Sequence, residues 1–463
     1  MKIEKQKRES LLSFIKEIEL PFKIPTPDKT IKIAVTGLSR SGKTVFLTSF
    51  INQLIANDKL PYLNEKLKRP FVARLLPPDS VYVRFDYYSK IKAFRLKDPK
   101  WPKATKSVSK TTLQLEFKSE YAFLKNQIVN IELIDYPGEW LLDLSMLEQD
   151  YAEWSEAMLS LAHEEKRYPY AKEWLEFVKG ADLYRRNRDE SVEEVMHDHY
   201  SEYLKRLHYQ GYSFVQPGRF LEPGDMQDDP LLRFCPLPTP SSEPHPDSVY
   251  AQFEKRYEQY IHEVVKRLYL EHFQAFDTQI ILVDLLKTME HGYDVFEDMH
   301  LSFKNILKSF TYGSNNILTR FFKPEINQVI FAATKADHLP QSQHNRYKRL
   351  LEEMIWDLKK ELDVRHIDTE ATVFAAVKST RDVKAKIEGK EVDCIRGIVE
   401  GEHEPSTHFP GMLPQSYHDE NFLKKGDFHL TKFKPISFPL RDTRAVEHIR
   451  MDKLIYTILK DRV

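Results

Sequence analysis

The stretch Gly37-Leu38-Ser39-Arg40-Ser41-Gly42-Lys43-Thr44 decides the fold, because it stands between an apolar run, Ile31 to Val35, and a segment of helical character. This spacing of two glycines, a lysine and a threonine is typical of a P-loop, in which a strand leads into a turn whose backbone N–H groups face a phosphate group. Lys43 is then placed for the β- and γ-phosphates of a nucleotide, and the Thr44 hydroxyl for Mg²⁺. A plain glycine-containing turn is the weaker alternative. The predicted phosphate-binding residues are Ser39, Arg40, Ser41, Gly42, Lys43, Thr44 and Val45.

Composition narrows the class of protein. The length of 463 residues predicts about two to three domains. The 69 Lys and Arg residues are balanced by 70 Asp and Glu residues, so a strongly basic surface, and with it a nucleic-acid partner, is not expected. The cysteines, Cys235 and Cys394, lack a metal-type spacing, so we expect neither a disulfide framework nor a zinc site and favour a reducing cytoplasm. No run reaches the roughly 20 apolar residues of a membrane span, and the N-terminus lacks the apolar core of a signal peptide.

An apolar stripe lies near the N-terminus, beside acidic and basic residues. We expect this helix to dock on the domain that follows; peripheral contact with a membrane surface is the alternative, and its acidic residues argue against anionic lipid. The stripe consists of Leu11, Leu12, Phe14, Ile15 and Ile18.

Four further apolar segments are predicted as strands. Each ends at a position where a nucleotide-binding residue is expected. They are Val129 to Leu133, Gln279 to Val283, Val329 to Ala333 and Val373 to Val377. Continuous apolar runs flanked by helices indicate strands buried on both faces, so we predict an α/β fold with a mainly parallel sheet and a site at the carboxyl ends of its strands. An alternating run, Leu113 to Phe117, predicts a half-exposed strand near the edge.

The segment between two of these strands is too long for a simple crossover. Aromatic and apolar residues recur in it at helical spacing, and Gln216 to Pro246 is rich in proline and predicted to be irregular. We therefore predict a P-loop domain from residues 1–140 and 276–463, with a helical insertion at 141–275. A second irregular stretch is expected from about Glu402 to Tyr417, and a final helix around Arg444 to Leu459.

Asp135-Tyr136-Pro137-Gly138 matches the D-x-x-G element of GTPases at the end of a strand. There the Asp135 carboxylate holds Mg²⁺ through water and the Gly138 N–H meets the γ-phosphate. The motif is weak alone but persuasive downstream of a P-loop.

Thr334-Lys335-Ala336-Asp337 matches the [N/T]-K-x-D element. A carboxylate at Asp337 can accept two hydrogen bonds from guanine N1–H and N2–H₂, whereas adenine offers no such donor pair. Lys335 is expected to lie along the base, and Ala376 or Val377 to offer a backbone N–H to guanine O6.

Together these motifs resemble the YcjX-like proteins, a bacterial family of P-loop GTPases with a large helical insertion. The resemblance covers nearly the whole chain and rests on GLSRSGKT, the segment Trp101-Pro102-Lys103-Ala104-Thr105, DYPGEW and TKAD. It implies a Ras-like GTPase fold, GDP and GTP binding with Mg²⁺, a cytoplasmic protein and a stress-linked role. Thr105 is the first candidate for the switch threonine that completes the Mg²⁺ shell, with Thr111 and Thr112 as alternatives.

Two positions depart from the Ras-type pattern. Glu139 follows the D-x-x-G element where those GTPases often carry a glutamine that orients the attacking water. Arg40 lies inside the P-loop, as in the GLYRTGKS-type loop of guanylate-binding proteins, where the arginine acts in cis as an arginine finger. A solvated loop side chain or a partner contact is the alternative for Arg40.

The predicted function is slow GTP hydrolysis coupled to a conformational switch, with a protein partner met through the helical insertion. A guanine-nucleotide-dependent scaffold with negligible turnover is the alternative. A small-molecule kinase is a third hypothesis, and TKAD argues against it.

Overall fold

The structure, a computed structural model, describes residues 28–37, 41–77, 83–103, 108–119, 126–187, 189, 191–270, 276–310, 326–416, 428–436 and 444–463. The predicted stripe between residues 11 and 18 lies outside these ranges.

Within this described part, eight strands form the central sheet. They are β1 (Lys29–Gly37), β2 (Phe71–Leu75), β3 (Val83–Arg84), β4 (Ser109–Phe117), β5 (Gln127–Asp135), β6 (Thr278–Val283), β7 (Gln328–Ala333) and β8 (Asp368–Val373). Their order is β2-β4-β5-β1-β6-β7-β8, with β3 beside β4. Strands β5, β1, β6, β7 and β8 are parallel, whereas β4 runs antiparallel to both β5 and β2. The α/β class and mainly parallel sheet are as predicted.

Helices pack on both faces of the sheet. They are α1 (Lys43–Ala56), α2 (Pro61–Leu67), α3 (Tyr87–Phe94), α4 (Trp140–Asp143), α5 (Tyr151–His163), α6 (Tyr168–Gly180), α7 (Ser191–Tyr209), α8 (Val249–Tyr260), α9 (Leu285–His291), α10 (Tyr293–Phe310), α11 (His344–Met354), α12 (Trp356–Val364) and α13 (Met451–Leu459). A 3₁₀ helix (Leu144–Glu148) follows α4, and α8 continues through a π-helical turn (Ile261–Val265) into Lys266–Leu268. No helix of the described chain is long and apolar enough to cross a membrane.

One face of the sheet packs against α1, α2, α3 and α13. Ile33 and Val35 of β1 meet the fully buried Phe46 and Phe50 of α1 in one apolar cluster. Alternate residues in the middle of β4 and β5 also enter this cluster, so the alternating patterns of both strands reflect one apolar face.

The opposite face packs against α9 to α12 and the helices between β5 and β6. Trp154 and Tyr257, which recur at helical spacing in the sequence, are fully buried there, as is Trp174. These helices share one continuous apolar core with the sheet. The assignment of residues 141–275 to a separate insertion domain stays a prediction. The stretch Gln216 to Pro246 contains 3₁₀ turns and no longer helix or strand, as expected.

Two predicted boundaries were wrong. Strand β8 ends at Val373, and Phe374 to Val377 form a buried loop because Phe374 packs on Phe46 and Ala375 pairs with Ile449. The last helix begins at Met451, not near Arg444, since Arg450 has a left-handed φ of 58° and the preceding residues pair with that loop.

A small antiparallel sheet was not predicted. It comprises β9 (Thr380–Ile387), β10 (Lys390–Ile398) and β11 (Pro405–His408), so β11 interrupts the second expected irregular stretch. Most side chains of β9 are exposed and few of them are apolar, so a hydrophobicity pattern does not reveal this strand.

Candidate functional site

The predicted phosphate turn joins β1 to α1 at the centre of the sheet. Gly42 has a left-handed φ of 86°, and a Cβ on Gly37 would stand 2.1 Å from Ser41 Oγ. Only glycine fits both positions without strain. Ser39 and Arg40 lie outside the described residues. Gly42 also leaves the start of α1 without a side-chain cap, so the first-turn amides, including that of Val45, stand at the positive end of the helix dipole.

The lysine of the turn meets the D-x-x-G element. Lys43 Nζ lies 3.2 Å from Asp135 Oδ1 and donates a 2.5 Å hydrogen bond to the Tyr136 carbonyl. Asp135 is 2% exposed, so this ion pair is screened little by solvent. Two motifs that are distant in sequence thus meet at the carboxyl ends of β1 and β5.

Two hydroxyl side chains of β4 lie on the same sheet face as Asp135. Ser109 is paired directly with Asp135 across β4 and β5, and Thr111 lies one pleat further on the same face. The hydroxyls of Ser41, Ser109 and Thr111 are buried without a hydrogen-bond partner among the described residues. Buried hydroxyls usually find partners, so this group is chemically suited to a bound ion or its water shell.

The switch-threonine candidates differ in position. Thr105 lies outside the described residues. Thr112 pairs with Glu132 on the face of β4 opposite to Thr111, and is therefore turned away from Asp135. Ser109 was not among the predicted site residues, although it extends the alternating pattern of Leu113 to the start of β4.

The T-K-x-D element follows β7 at the same edge. The Thr334 N–H and hydroxyl both donate to the Val283 carbonyl, which ties the element to β6. Lys335 has a left-handed φ of 60°, and its Nζ lies 2.5 Å from Asp284 Oδ2. Asp284 is 4% exposed and follows β6 directly, a position that the sequence did not single out.

Asp337 is held by the loop after β8. Its Oδ2 accepts hydrogen bonds from Ser379 N at 2.7 Å and Ser379 Oγ at 2.5 Å, and its carbonyl accepts from the Thr380 hydroxyl. An ionised carboxylate has about four acceptor sites, so Oδ1 keeps acceptor capacity. Ala376 and Val377 lie in this same buried loop, and the Ala376 carbonyl accepts a 2.5 Å bond from Ser49 Oγ. The loop and Asp337 are therefore brought together.

Gly138 and Glu139 lead from Asp135 directly into the four-residue α4. Both are buried, and a Cβ on Gly218 would stand 2.1 Å from the Glu139 carbonyl. Arg219 stacks on the Trp140 ring, with Cζ 3.3 Å from the ring centroid. The D-x-x-G turn therefore packs closely on the irregular stretch after α7.

Asp143, at the other end of α4, also contacts the irregular stretch after α7. It accepts hydrogen bonds from Gly218 N at 2.7 Å, from Arg219 N at 3.4 Å and from the Tyr260 hydroxyl at 2.6 Å. Burial raises the pKa of Asp143 to about 6, and the hydrogen bonds from Tyr260 and Gly218 oppose that rise.

A mixed, mostly parallel α/β sheet whose central strand ends in this glycine-rich turn is consistent with the class of Ras-like GTPases. The chain belongs to the YcjX-like family, since the model of that family, described as YcjX-like family, DUF463, matches residues 31–463. It is 33% identical over 454 residues to a protein of Escherichia coli K12 named Ras-like GTPase YcjX, covering 94% of this chain and 96% of that protein. A protein of the same name from Shewanella oneidensis is 31% identical over 468 residues, covering 95% and 96%.

Proposed function

We propose that this protein binds guanine nucleotides and hydrolyses GTP to GDP with Mg²⁺. The observation that carries the proposal is the Lys43–Asp135 ion pair, which joins the glycine-rich turn to the D-x-x-G element at one sheet edge. The names of the relatives support the nucleotide class. Asp337, at the same edge, supplies the carboxylate that guanine recognition requires.

The phosphate-binding role falls to residues 39–45. Lys43 is the cation facing the β- and γ-phosphates, and the amides of the turn and of the first turn of α1 donate to phosphate oxygens. On the base side, Asp337 reads the guanine edge, Thr334 holds the element in place, and Lys335 lies along the ring. The loop with Ala376 and Val377 closes the base pocket.

The residues around Asp135 fit Mg²⁺. Hydroxyl and carboxylate oxygens are the ligands that this ion prefers, and the buried hydroxyls of Ser41 and Ser109, which have no partner in the described part of the chain, suit its water shell. Thr44, Asp135 and the proposed switch residue Thr105 would hold the ion. When bound, Mg²⁺ neutralises charge that develops on the phosphate oxygens.

Hydrolysis requires charge stabilisation and an oriented water. We assign the first role to Arg40 with Lys43, and the N–H of Gly138 to the γ-phosphate. Glu139 occupies the water-orienting position. A buried carboxylate there, in place of glutamine, favours slow turnover and keeps the non-hydrolysing scaffold as the second candidate.

Nucleotide titration tests the base assignment. Wild type should bind GDP and GTP much more tightly than ADP, and Asp337→Asn should lose GDP affinity while gaining xanthosine diphosphate. Asp393→Asn, an exposed aspartate on β10, is the matched control and should match wild type. Equal affinity of the wild type for GDP and ADP would refute guanine recognition. GTP turnover, measured with the same samples, separates the enzyme from the scaffold.

The cytoplasmic location, the stress-linked role and a protein partner for the helical insertion stay predictions.

A further inference from the structure

A cleft with a volume of about 460 Å³ lies between β8, α11 and α13. Strand β8 is three positions from β1 in the sheet, which places the two strands about 14 Å apart and separates this cleft from the glycine-rich turn. The outer edge of β8 is largely closed, because Thr369 and Val373 are buried and Ala375 pairs with Ile449. The occupant that fits is therefore a small molecule, and the volume is typical of clefts that hold one.

The lining of the cleft is cationic. Four cations and one carboxylate line it: Lys348, Arg450, Lys453, Lys460 and Glu370. Two of the cations are already paired, because Lys460 Nζ donates to Glu370 at 2.8 Å and Lys348 Nζ lies 3.0 Å from Glu352 Oε1. Arg450 and Lys453 are left for a ligand.

Neither Arg450 nor Lys453 forms an ion pair with any residue that the structure describes. The Arg450 guanidinium is half-buried, and its hydrogen bond there is a long one, 3.5 Å from Nη1 to the Val373 carbonyl. A guanidinium has five N–H donors, so most of its capacity is open to a ligand. Lys453 is exposed, and its Nζ lies 5.2 Å from the centroid of the Tyr62 ring.

The lack of a carboxylate partner affects the pKa values around Arg450. Burial lowers the pKa of the Arg450 guanidinium. Burial also acts on Arg167, but there Asp298 and Tyr203 more than offset it and the pKa is raised. Burial lowers the pKa of His344, which lines the same cleft, and the charge of Arg450 lowers it further. A partly desolvated cation without a counter-charge favours an anionic occupant.

Glu370 neutralises only one end of the cleft. Its carboxylate accepts hydrogen bonds from Lys460 Nζ and from the Thr457 hydroxyl. Val373, which Arg450 contacts, lies three residues and about 10 Å further along β8. The anionic part of a ligand therefore belongs at the Arg450 end.

The wall beside Lys453 suits an organic group. Tyr62 and Tyr456 line the cleft in edge-to-face contact, with their ring centroids 5.5 Å apart, and Leu454 lies next to them. An inorganic ion would leave this aromatic and apolar surface without a contact. The cleft thus combines an anion-binding end with a wall for a ring or a carbon chain.

We propose that this cleft binds a small organic phosphate monoester. The Arg450 guanidinium donates to two phosphate oxygens, for which its planar fork has the matching geometry, and Lys453 neutralises the second charge. The organic part packs against Tyr62 and Tyr456. This site is independent of the proposed nucleotide site, and its test does not require GTP to bind.

Calorimetric titration of the full-length protein with phenyl phosphate tests the proposal. At about pH 8 this probe carries two negative charges, and its ring suits the tyrosine wall. We expect saturable binding, weakened at least about tenfold in Arg450→Gln and at least about fivefold in Lys453→Gln. Lys66→Gln is the matched control, because Lys66 Nζ lies 5.7 Å from the same Tyr62 ring but does not line the cleft, and it should change the affinity less than about twofold. Since Lys453 is exposed, its variant reports on binding even where Arg450→Gln fails to fold.

A Lys43→Ala variant shows where the probe binds. Unchanged affinity in this variant supports the cleft, whereas loss of binding there with wild-type affinity in Lys453→Gln would place the phosphate in the glycine-rich turn and overturn the proposal. Acetylation by acetic anhydride, followed by mass spectrometry, gives a second readout. The probe should slow modification of Lys453 and leave that of Lys390, an exposed lysine on β10, unchanged.

Two further probes test the chemical class. Phthalate keeps the ring and two charges but has no phosphate, and inorganic phosphate has no ring, so both should bind at least about fivefold more weakly than phenyl phosphate. Equal affinity for phthalate would assign the cleft to carboxylates, and equal affinity for inorganic phosphate would deny a role to the tyrosine wall. Either result, or no saturable binding of phenyl phosphate up to about 10 mM, would overturn the proposal.

Discussion

Asp143 makes the stability of this protein depend on pH in a direction opposite to that of most paired carboxylates. The side chain is fully buried between α4, the Gly218 turn and Tyr260, and burial raises its pKa from 3.8 to about 6. In the unfolded chain the same carboxyl titrates near its ordinary value of about 3.9. The folded state therefore binds a proton more tightly than the unfolded state does.

The sign and size follow from this difference. The contribution of Asp143 to the free energy of unfolding is fully present below about pH 4, where both states are protonated, and is lost as the pH rises through about 6. A pKa difference of about two corresponds to about 3 kcal/mol, which is a large part of the stability of a typical domain.

Asp143→Asn removes the titration and keeps the geometry. The amide oxygen can accept from Gly218 N, and the amide NH₂ can donate to the Tyr260 hydroxyl, whose own proton then turns away. The variant therefore resembles protonated Asp143.

Urea denaturation of both proteins at several pH values from 4 to 7.5 measures the effect. The unfolding free energy of the variant minus that of wild type should increase by about 3 kcal/mol between pH 4 and 7. Other carboxylates titrate in the same range, but they are common to both proteins and cancel in the difference. A difference that stays constant across this range would show that Asp143 ionises alike in both states, and the reasoning would fail.

Four substitutions test the site itself. Gly37→Ala places a methyl group 2.1 Å from a neighbouring hydroxyl oxygen and 2.9 Å from a leucine Cβ, so we expect a loss of about 1–3 kcal/mol in denaturation, and an unchanged melting temperature would contradict the tight turn. Lys43→Ala should weaken GDP binding by about 2 kcal/mol, roughly thirtyfold, in calorimetric titration; a folded variant with the wild-type Kd would exclude the turn as the phosphate site. Asp284→Asn frees Lys335 from its ion pair and should cost about tenfold in GDP affinity while ADP affinity stays the same, whereas equal losses for both nucleotides would indicate a purely structural role. Arg40→Ala should lower the rate of GTP hydrolysis at least about tenfold with GDP affinity within a few-fold, and a wild-type rate would leave Arg40 as an ordinary loop residue.

The central strands were predictable because burial on both faces leaves an unbroken apolar run. Strands β6 and β7 are buried at every position, and the sequence marks them plainly. The same signal failed at Phe374 to Val377, where the burial comes from α1 and from the chain near Ile449 rather than from strand pairing. A single sequence does not distinguish these two causes of burial.

The motifs could be recognised in the sequence from their spacing, whereas the side chains that contact them in the structure could not. Ser109, Asp284 and Ser379 are single polar residues outside the recognised motifs, and each acquires its position through pairing with a distant part of the chain. Ser109 faces Asp135 only because β4 runs antiparallel to β5 in this register. Motif spacing is a local property, but register is decided by the assembled sheet.

The packing around α4 gives the proposed switch a route into the helical segment. Under the proposed function, Gly138 meets the γ-phosphate, and only Glu139 separates it from α4. Both ends of this four-residue helix are fixed to one neighbour, Trp140 by the stacked Arg219 and Asp143 by the Gly218 N–H. Closely packed groups change between discrete arrangements and do not deform gradually. A shift of Gly138 must therefore either move the Gly218 turn as well or break these contacts. Tyr260 shares the Asp143 carboxylate, so the end of α8 is part of the same unit. A partner that distinguishes the GTP and GDP states through the helical segment is therefore expected to contact the exposed part of this stretch, residues 222–226, and the end of α8.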